Sequence, residues 1–111
     1  MIKIYTLGKF QVENDGTLLS NINTRSRKMW NLFQTLISNP QNYIPVDNLI
    51  EELNFSLELI DAKNALENTV YRLRKLLAQD KNYRADKYII YSHGAYSFNW
   101  DSEFYLDYLD F

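Results

Sequence analysis

Asn64, Asn68, Tyr71, Arg72 and Lys75 recur at intervals that bring two amides, a phenol and two cations to one side of a helix. At about 100° per residue the five fall within an arc of roughly 100°. Such a set is suited to recognition. A carboxamide can pair in bidentate fashion with adenine and a guanidinium with guanine, while ammonium and phenol groups reach phosphates. A DNA major groove ~12 Å wide admits one helix presenting such a face. No Glu falls inside the arc, whereas a merely solvated helix usually mixes both signs.

The other side of the same stretch supplies what would hold that face outward. Ala62, Leu66, Val70, Leu73 and Leu77 cluster within roughly 80° and form a buried stripe. With Asp61 as N-cap, the spacing predicts a helix over 61–79. Before it, Met29, Leu32, Phe33, Leu36 and Ile37 trace one face of an earlier helix that Thr24 or Ser26 would cap and Asn39-Pro40 would end. Val46, Leu49, Ile50 and Leu53 mark a short second helix, and residues 54–60 a long connection. At the front, Ile2 and Ile4, then Phe10 and Val12, alternate with the two-residue period of strands, and Asp15-Gly16 is a hairpin turn leading to Leu18-Leu19. At the back, residues 88–91 and 96–100 flank Ser92-His93-Gly94-Ala95 as a second hairpin. The order is sheet, three helices, hairpin, an α+β domain.

Composition bounds the class. The chain of 111 residues is 46% apolar and 15% aromatic, enough for one folded core and too short for two. It contains no Cys and a single His, which leaves no expectation of disulfides, metal or cofactor. No G-x-S-x-G, H-E-x-x-H or Gly-rich phosphate loop occurs, and Glu51 and Glu52 point apart on a short helix, so no enzymatic activity is expected. No apolar run approaches the roughly 20 residues that span a bilayer, and the expected location is cytoplasmic. The net charge of −2 and pI near 5.3 argue against nucleic acid when taken as sums. The distribution argues the other way. Residues 61–87 hold seven basic side chains against four acidic ones, residues 25–28 add Arg25, Arg27 and Lys28, and acid collects in 47–58 and 101–110.

Four segments together resemble a known family. Residues 64–77, with Arg72-Leu73-Arg74-Lys75 at their core, are similar to the recognition helix of OmpR/PhoB-type winged-helix DNA-binding domains. Leu7-Gly8-Lys9-Phe10-Gln11-Val12 ahead of Asp-Gly resembles the opening of the variant at the N-terminus of streptomycete antibiotic regulatory proteins. Gly94-Ala95-Tyr96-Ser97-Phe98 looks like that family's wing. Asp107-Tyr108-Leu109-Asp110-Phe111 is similar to the start of the bacterial transcriptional activation domain that follows such modules. The resemblance covers essentially the whole chain.

It implies a winged helix-turn-helix: an N-terminal four-stranded antiparallel sheet, three helices and a C-terminal hairpin wing. It divides the chain into a DNA-binding domain at 1–100 and, at 101–111, the start of a linker or of a following helical domain. It also implies roles. Asn64, Asn68, Tyr71 and Arg72 would face the major groove, Arg74 and Lys75 the backbone, Arg25, Arg27 and Lys28 phosphates, and His93 at the wing tip the adjacent minor groove. The implied partners are double-stranded DNA, RNA polymerase, a C-terminal domain of the same chain, and a second copy head to tail on DNA. Asn54 stands where such domains often carry Trp, and the loop after it is unusually apolar. Two other readings stay open: a winged helix that binds protein through acidic and apolar surfaces instead of DNA, and a single-strand binder using Tyr88, Tyr91, Tyr96, Phe98 and Trp100.

Overall fold

The alternation at the front of the chain folds into paired strands in the computed structural model, which describes residues 1–20, 27–55, 61–78 and 88–109. Strand β1 (Ile2–Tyr5) runs antiparallel to β2 (Gln11–Asn14), with Ile2 opposite Asn14 and Ile4 opposite Val12. Ile2, Ile4 and Val12 lie on the inner face and are fully enclosed. Asp15 and Gly16 both take positive φ (49° and 86°), the geometry of the two-residue turn expected of Asp-Gly, and β3 (Thr17–Leu18) follows.

Three helices follow, and their apolar residues share one core with Ile2, Ile4 and Val12 of this sheet. Helix α1 (Arg27–Ile37) buries the five expected apolar residues and also Trp30. Strand β4 (Ile44–Pro45) leads directly into α2 (Val46–Glu52), where Pro45 stands at the N-cap with φ −57°. Asn54 ends α2 by adopting φ 61°, a left-handed stop that Asn tolerates, and the reversal sends Phe55 into the core at 1% exposure. Helix α3 (Ala62–Ala78) begins where expected: the Asp61 carboxylate accepts the backbone N–H of Asn64 at 2.9 Å. Leu66, Val70, Leu73 and Leu77 are buried, with Thr69 beside them, while Ala62 is half-buried. The Asn14 amide donates to the Leu77 carbonyl at 2.9 Å and ties the end of α3 to β2.

Strands β5 (Ile89–Ser92) and β6 (Ala95–Phe98) form the second hairpin around His93 (φ 52°) and Gly94 (φ 77°). With β4 they make a three-stranded sheet in the order β4-β6-β5. The pairing of β4, only two residues long, escapes a reading based on periodicity.

Two expectations are corrected here. The four-stranded sheet exists, but its order is β3-β2-β1-β7, and its last strand, β7 (Phe104–Leu106), comes from the C-terminal end and runs parallel to β1. The boundary drawn at residue 100 therefore moves. Residues 104–109 belong to the packed unit, because Phe104 meets Phe98 edge-on at 5.0 Å, Leu106 is buried, and the Tyr108 hydroxyl donates to the Ile37 carbonyl at 3.0 Å. The molecule is thus mixed α and β, with three helices and two small sheets among the described residues. No helix of the described residues is long and apolar enough to cross a membrane.

Candidate nucleic-acid interface

The stripe of buried leucines fixes the rotation of α3, and the rest follows from helical geometry. Asn64, Asn68, Tyr71, Arg72 and Lys75 are all exposed, with Tyr71 at 54%. The Lys75 ammonium lies 5.8 Å from the centre of the Tyr71 ring, a cation–π contact that orders the two side chains along the helix. The expected face is therefore assembled on one side of one rigid element.

Arg74 departs from expectation. It was assigned to a nucleic-acid backbone, but its Nε donates to the Ile89 carbonyl at 3.3 Å and its guanidinium lies 5.9 Å from the centre of the Tyr96 ring. It fastens α3 to the β5–β6 hairpin and is half-buried there. Burial pushes the Tyr96 hydroxyl above its ordinary range; the Arg74 charge opposes this, and Glu67 and Tyr91 add to it.

The two flanks of α3 differ in charge. Toward the hairpin, Asp47 from the first turn of α2, Lys63 and Glu67 from α3, and Tyr91 and Tyr96 line a pocket of about 250 Å³. Toward α1 and the end of α2, Arg27, Lys28, Asn31, Asn54, Asn68 and Arg72 line an open groove of about 650 Å³ in which none of the described lining residues is acidic. The Lys28 ammonium stands 4.6 Å from the centre of the Phe55 ring, so the buried phenyl set by the Asn54 reversal also positions a cation at the surface.

The remaining expected residues are placed as follows. Arg27 is exposed at the start of α1, and Arg25 lies outside the described residues, as do the proposed caps Thr24 and Ser26. His93 is exposed at the hairpin tip, and Gly94 beside it accepts the Val46 N–H at 2.9 Å, which holds the tip against the beginning of α2. Asn31 and Asn54 join the groove although neither was expected as a contact residue; Asn54 was noted only for standing where such domains often carry Trp. Asn31 lies four residues after Arg27 and was legible as a neighbour on α1, whereas Asn54 reaches the groove only through its left-handed backbone. Among the described residues no group of three His, Asp or Glu side chains could hold a metal ion.

Compared with protein-family models, curated proteins and solved structures, the chain matches none. Any functional reading rests on the geometry above.

Proposed function

We propose that this chain is a winged-helix DNA-binding domain of the OmpR/PhoB type that recognises specific double-stranded sequences in transcription control. In this reading α2 and α3 are the helix-turn-helix pair, α3 enters the major groove, and β5–β6 is the wing. One observation carries it: Asn64, Asn68, Tyr71, Arg72 and Lys75 lie together on the exposed side of α3, with the helix's single acid, Glu67, at the edge toward the hairpin, in a protein whose net charge is −2. A surface that served only solubility would mix both signs more evenly. Asn68 and Arg72 are the base-reading pair, by the carboxamide–adenine and guanidinium–guanine matches, and Tyr71 and Lys75 are phosphate contacts. The protein performs no chemistry on the DNA. It positions a partner, either RNA polymerase or a further domain of its own chain, in the cytoplasm, and tandem copies on a direct repeat are consistent with an asymmetric head-to-tail arrangement.

The test is selection of duplex sites from a random pool at low salt, followed by binding of the selected site. Asn68→Ala and Arg72→Ala are expected to cost about 1–3 kcal/mol each, roughly 5- to 150-fold in affinity, without loss of helicity. A pool that yields no enriched site, or a selected site bound equally well by both variants, sinks the reading.

A second reading draws on the hairpin flank. Asp47 and Glu67 stand beside the exposed Tyr91, and the pI near 5.3 suits a basic protein partner better than a polyanion. A domain that binds protein this way would ignore duplex DNA at low salt and lose its partner on Glu67→Lys.

A further inference from the structure

We infer that the pocket between the start of α2, α3 and the β5–β6 hairpin is a binding site for a small organic amine, an ammonium on a short apolar body, held by Asp47, Glu67 and the Tyr96 hydroxyl. Such a site does not depend on duplex binding, and its ligand is a free small molecule where the second reading has a protein.

The deciding group is the Tyr96 hydroxyl. Tyr96 stands opposite Tyr91 in the β5–β6 ladder and is only 5% exposed. A buried hydroxyl without a hydrogen bond costs stability, so such groups are nearly always satisfied. Among the described residues this one has no hydrogen-bond partner. The indole N–H of Trp100 is also unpartnered, but it is sealed from the surface, whereas the Tyr96 hydroxyl can be reached. Tyr96 lines two adjoining hollows, of about 250 and 340 Å³, that share Glu67 and Tyr91. After burial and the Arg74 charge, these same two residues act on the ionisation of its hydroxyl, which places that group beside them.

The surrounding charges give the sign of the ligand. Asp47 and Glu67 are exposed carboxylates at the rim, and among the described residues neither is in an ion pair. Arg74 is already engaged by the Ile89 carbonyl and the Tyr96 ring. Lys63 is exposed on a flexible stem that carries its charge into water. Two carboxylates and a phenolic oxygen are left as acceptors, and an ammonium group brings three N–H donors and no acceptor of its own.

The walls set the body of the ligand. Fully enclosed Leu66 and half-buried Val46 supply apolar surface, and the exposed Tyr91 ring, 4.9 Å from Tyr96, offers a face to a cation. Small-molecule sites typically run upward from ~300 Å³, so a hollow of about 250 Å³ suits no more than one ring or a short chain. The site is also built before anything binds. The Val46 N–H donates to the Gly94 carbonyl at 2.9 Å, and Arg74 fastens α3 to β5, so a ligand need not draw the three elements together.

Three probes with one body test the site: phenethylamine, phenylalanine and hydrocinnamate, a cation, a zwitterion and an anion. Titrated into the isotopically labelled chain, phenethylamine is expected to move the NMR signals of Leu66, Glu67, Tyr91 and Tyr96 together and saturably, with a dissociation constant on the order of 1 mM. Those of Asn31 and Asn54, on the opposite flank, should stay still. Phenylalanine should bind more weakly and hydrocinnamate not at all. Glu67→Gln should weaken the amine roughly tenfold, the loss of one charge-assisted hydrogen bond. Tyr96→Phe should weaken it about fivefold and yet melt at or above the parental temperature, because the hydroxyl contributes no bond to the fold.

An anion or zwitterion that binds as tightly as the amine overturns the cation assignment. A Tyr96→Phe chain that melts well below the parent makes the hydroxyl structural and removes the reason for the site. No saturable response to the amine overturns the site outright; if a lysine-rich peptide then shifts the same signals, this flank belongs to a protein partner.

Discussion

The Asp107 carboxylate accepts both the backbone N–H of Thr6 (2.8 Å to Oδ2) and its hydroxyl (2.8 Å to Oδ1) across 101 residues of chain. The Leu7 N–H adds a third donor to the same group at 2.9 Å. These bonds lie just beyond the paired residues of β1 and β7, so the carboxylate extends the parallel pairing where the β1 backbone would otherwise lose its partners. The C-terminal strand is thereby locked to the first strand.

Acid is expected to release this lock. Burial pushes the Asp107 carboxyl up, but the hydrogen bonds from Leu7 and Thr6, with one from the Tyr108 N–H, outweigh it and hold the group below the ordinary aspartate value of 3.8. The folded state therefore takes up the proton less readily than the unfolded chain, and stability contributed by the group is whole above pH 3.8 and lost as pH falls through the lower folded value. Asp107→Asn should lower the melting temperature by several degrees at pH 7, with the gap to the parent closing below pH 3.8. Melting curves taken across pH 2–7 check this; a gap of constant size would show that the charge is irrelevant.

Much of the architecture was legible in the sequence, and the reasons divide by range. Helix α3 and its two faces follow from the 3.6-residue period alone, and both tight turns follow from residue chemistry at Asp15-Gly16 and His93-Gly94. The pairing of β7 with β1 joins segments about 100 residues apart, and no local pattern in Phe104-Tyr105-Leu106 distinguishes a docked strand from a linker. Arg74 shows the same limit at a single residue. Its position on the helix wheel places it at the flank, but only packing decides that the flank meets Ile89 and Tyr96. Asn54 was readable in part, since Asn is a common left-handed helix stop, but its delivery to a cationic groove depends on where α1 lies.

The link between the sheet and α3 should be sensitive to one amide. Asn14 is buried, and its side chain satisfies the Leu77 carbonyl in the last turn of the helix. Asn14→Leu removes the donor, keeps comparable bulk and leaves that carbonyl without its partner, which costs about 1–3 kcal/mol. Urea denaturation should show this as a lower midpoint with an unchanged slope, because the same surface unfolds. A midpoint equal to the parent's would mean that the carbonyl finds water.

Arg72 and Arg74, two residues apart, should separate binding from stability. Arg74→Met keeps much of the stem but loses the bond to Ile89 and the charge against Tyr96, and should cost about 1 kcal/mol of folding stability. Its effect on duplex affinity should be small. Arg72→Met should do the reverse, leaving the melting temperature within a degree or two of the parent while weakening duplex binding by the amount given above. Two variants that behave alike in both measurements would contradict the assignment of one arginine to the hairpin and the other to the ligand.

The hairpin turn joins local backbone strain to the placement of the surface beside α3. Gly94 has φ 77°, which side chains with a Cβ adopt reluctantly, although the space around it is open. Its carbonyl accepts the first N–H of α2 from Val46 at 2.9 Å, so a change in the turn is felt at the helix that abuts α3. Gly94→Ala should therefore destabilise the fold by about 1 kcal/mol through backbone strain alone, with no steric clash to relieve. Gly94→Asn, with a residue that tolerates left-handed backbone, should recover about half of that loss. Hydrogen exchange separates strain from a damaged cap. The Val46 amide should exchange faster in Gly94→Ala and near the parental rate in Gly94→Asn, and equal rates in all three proteins would show that the turn and the start of α2 are not coupled.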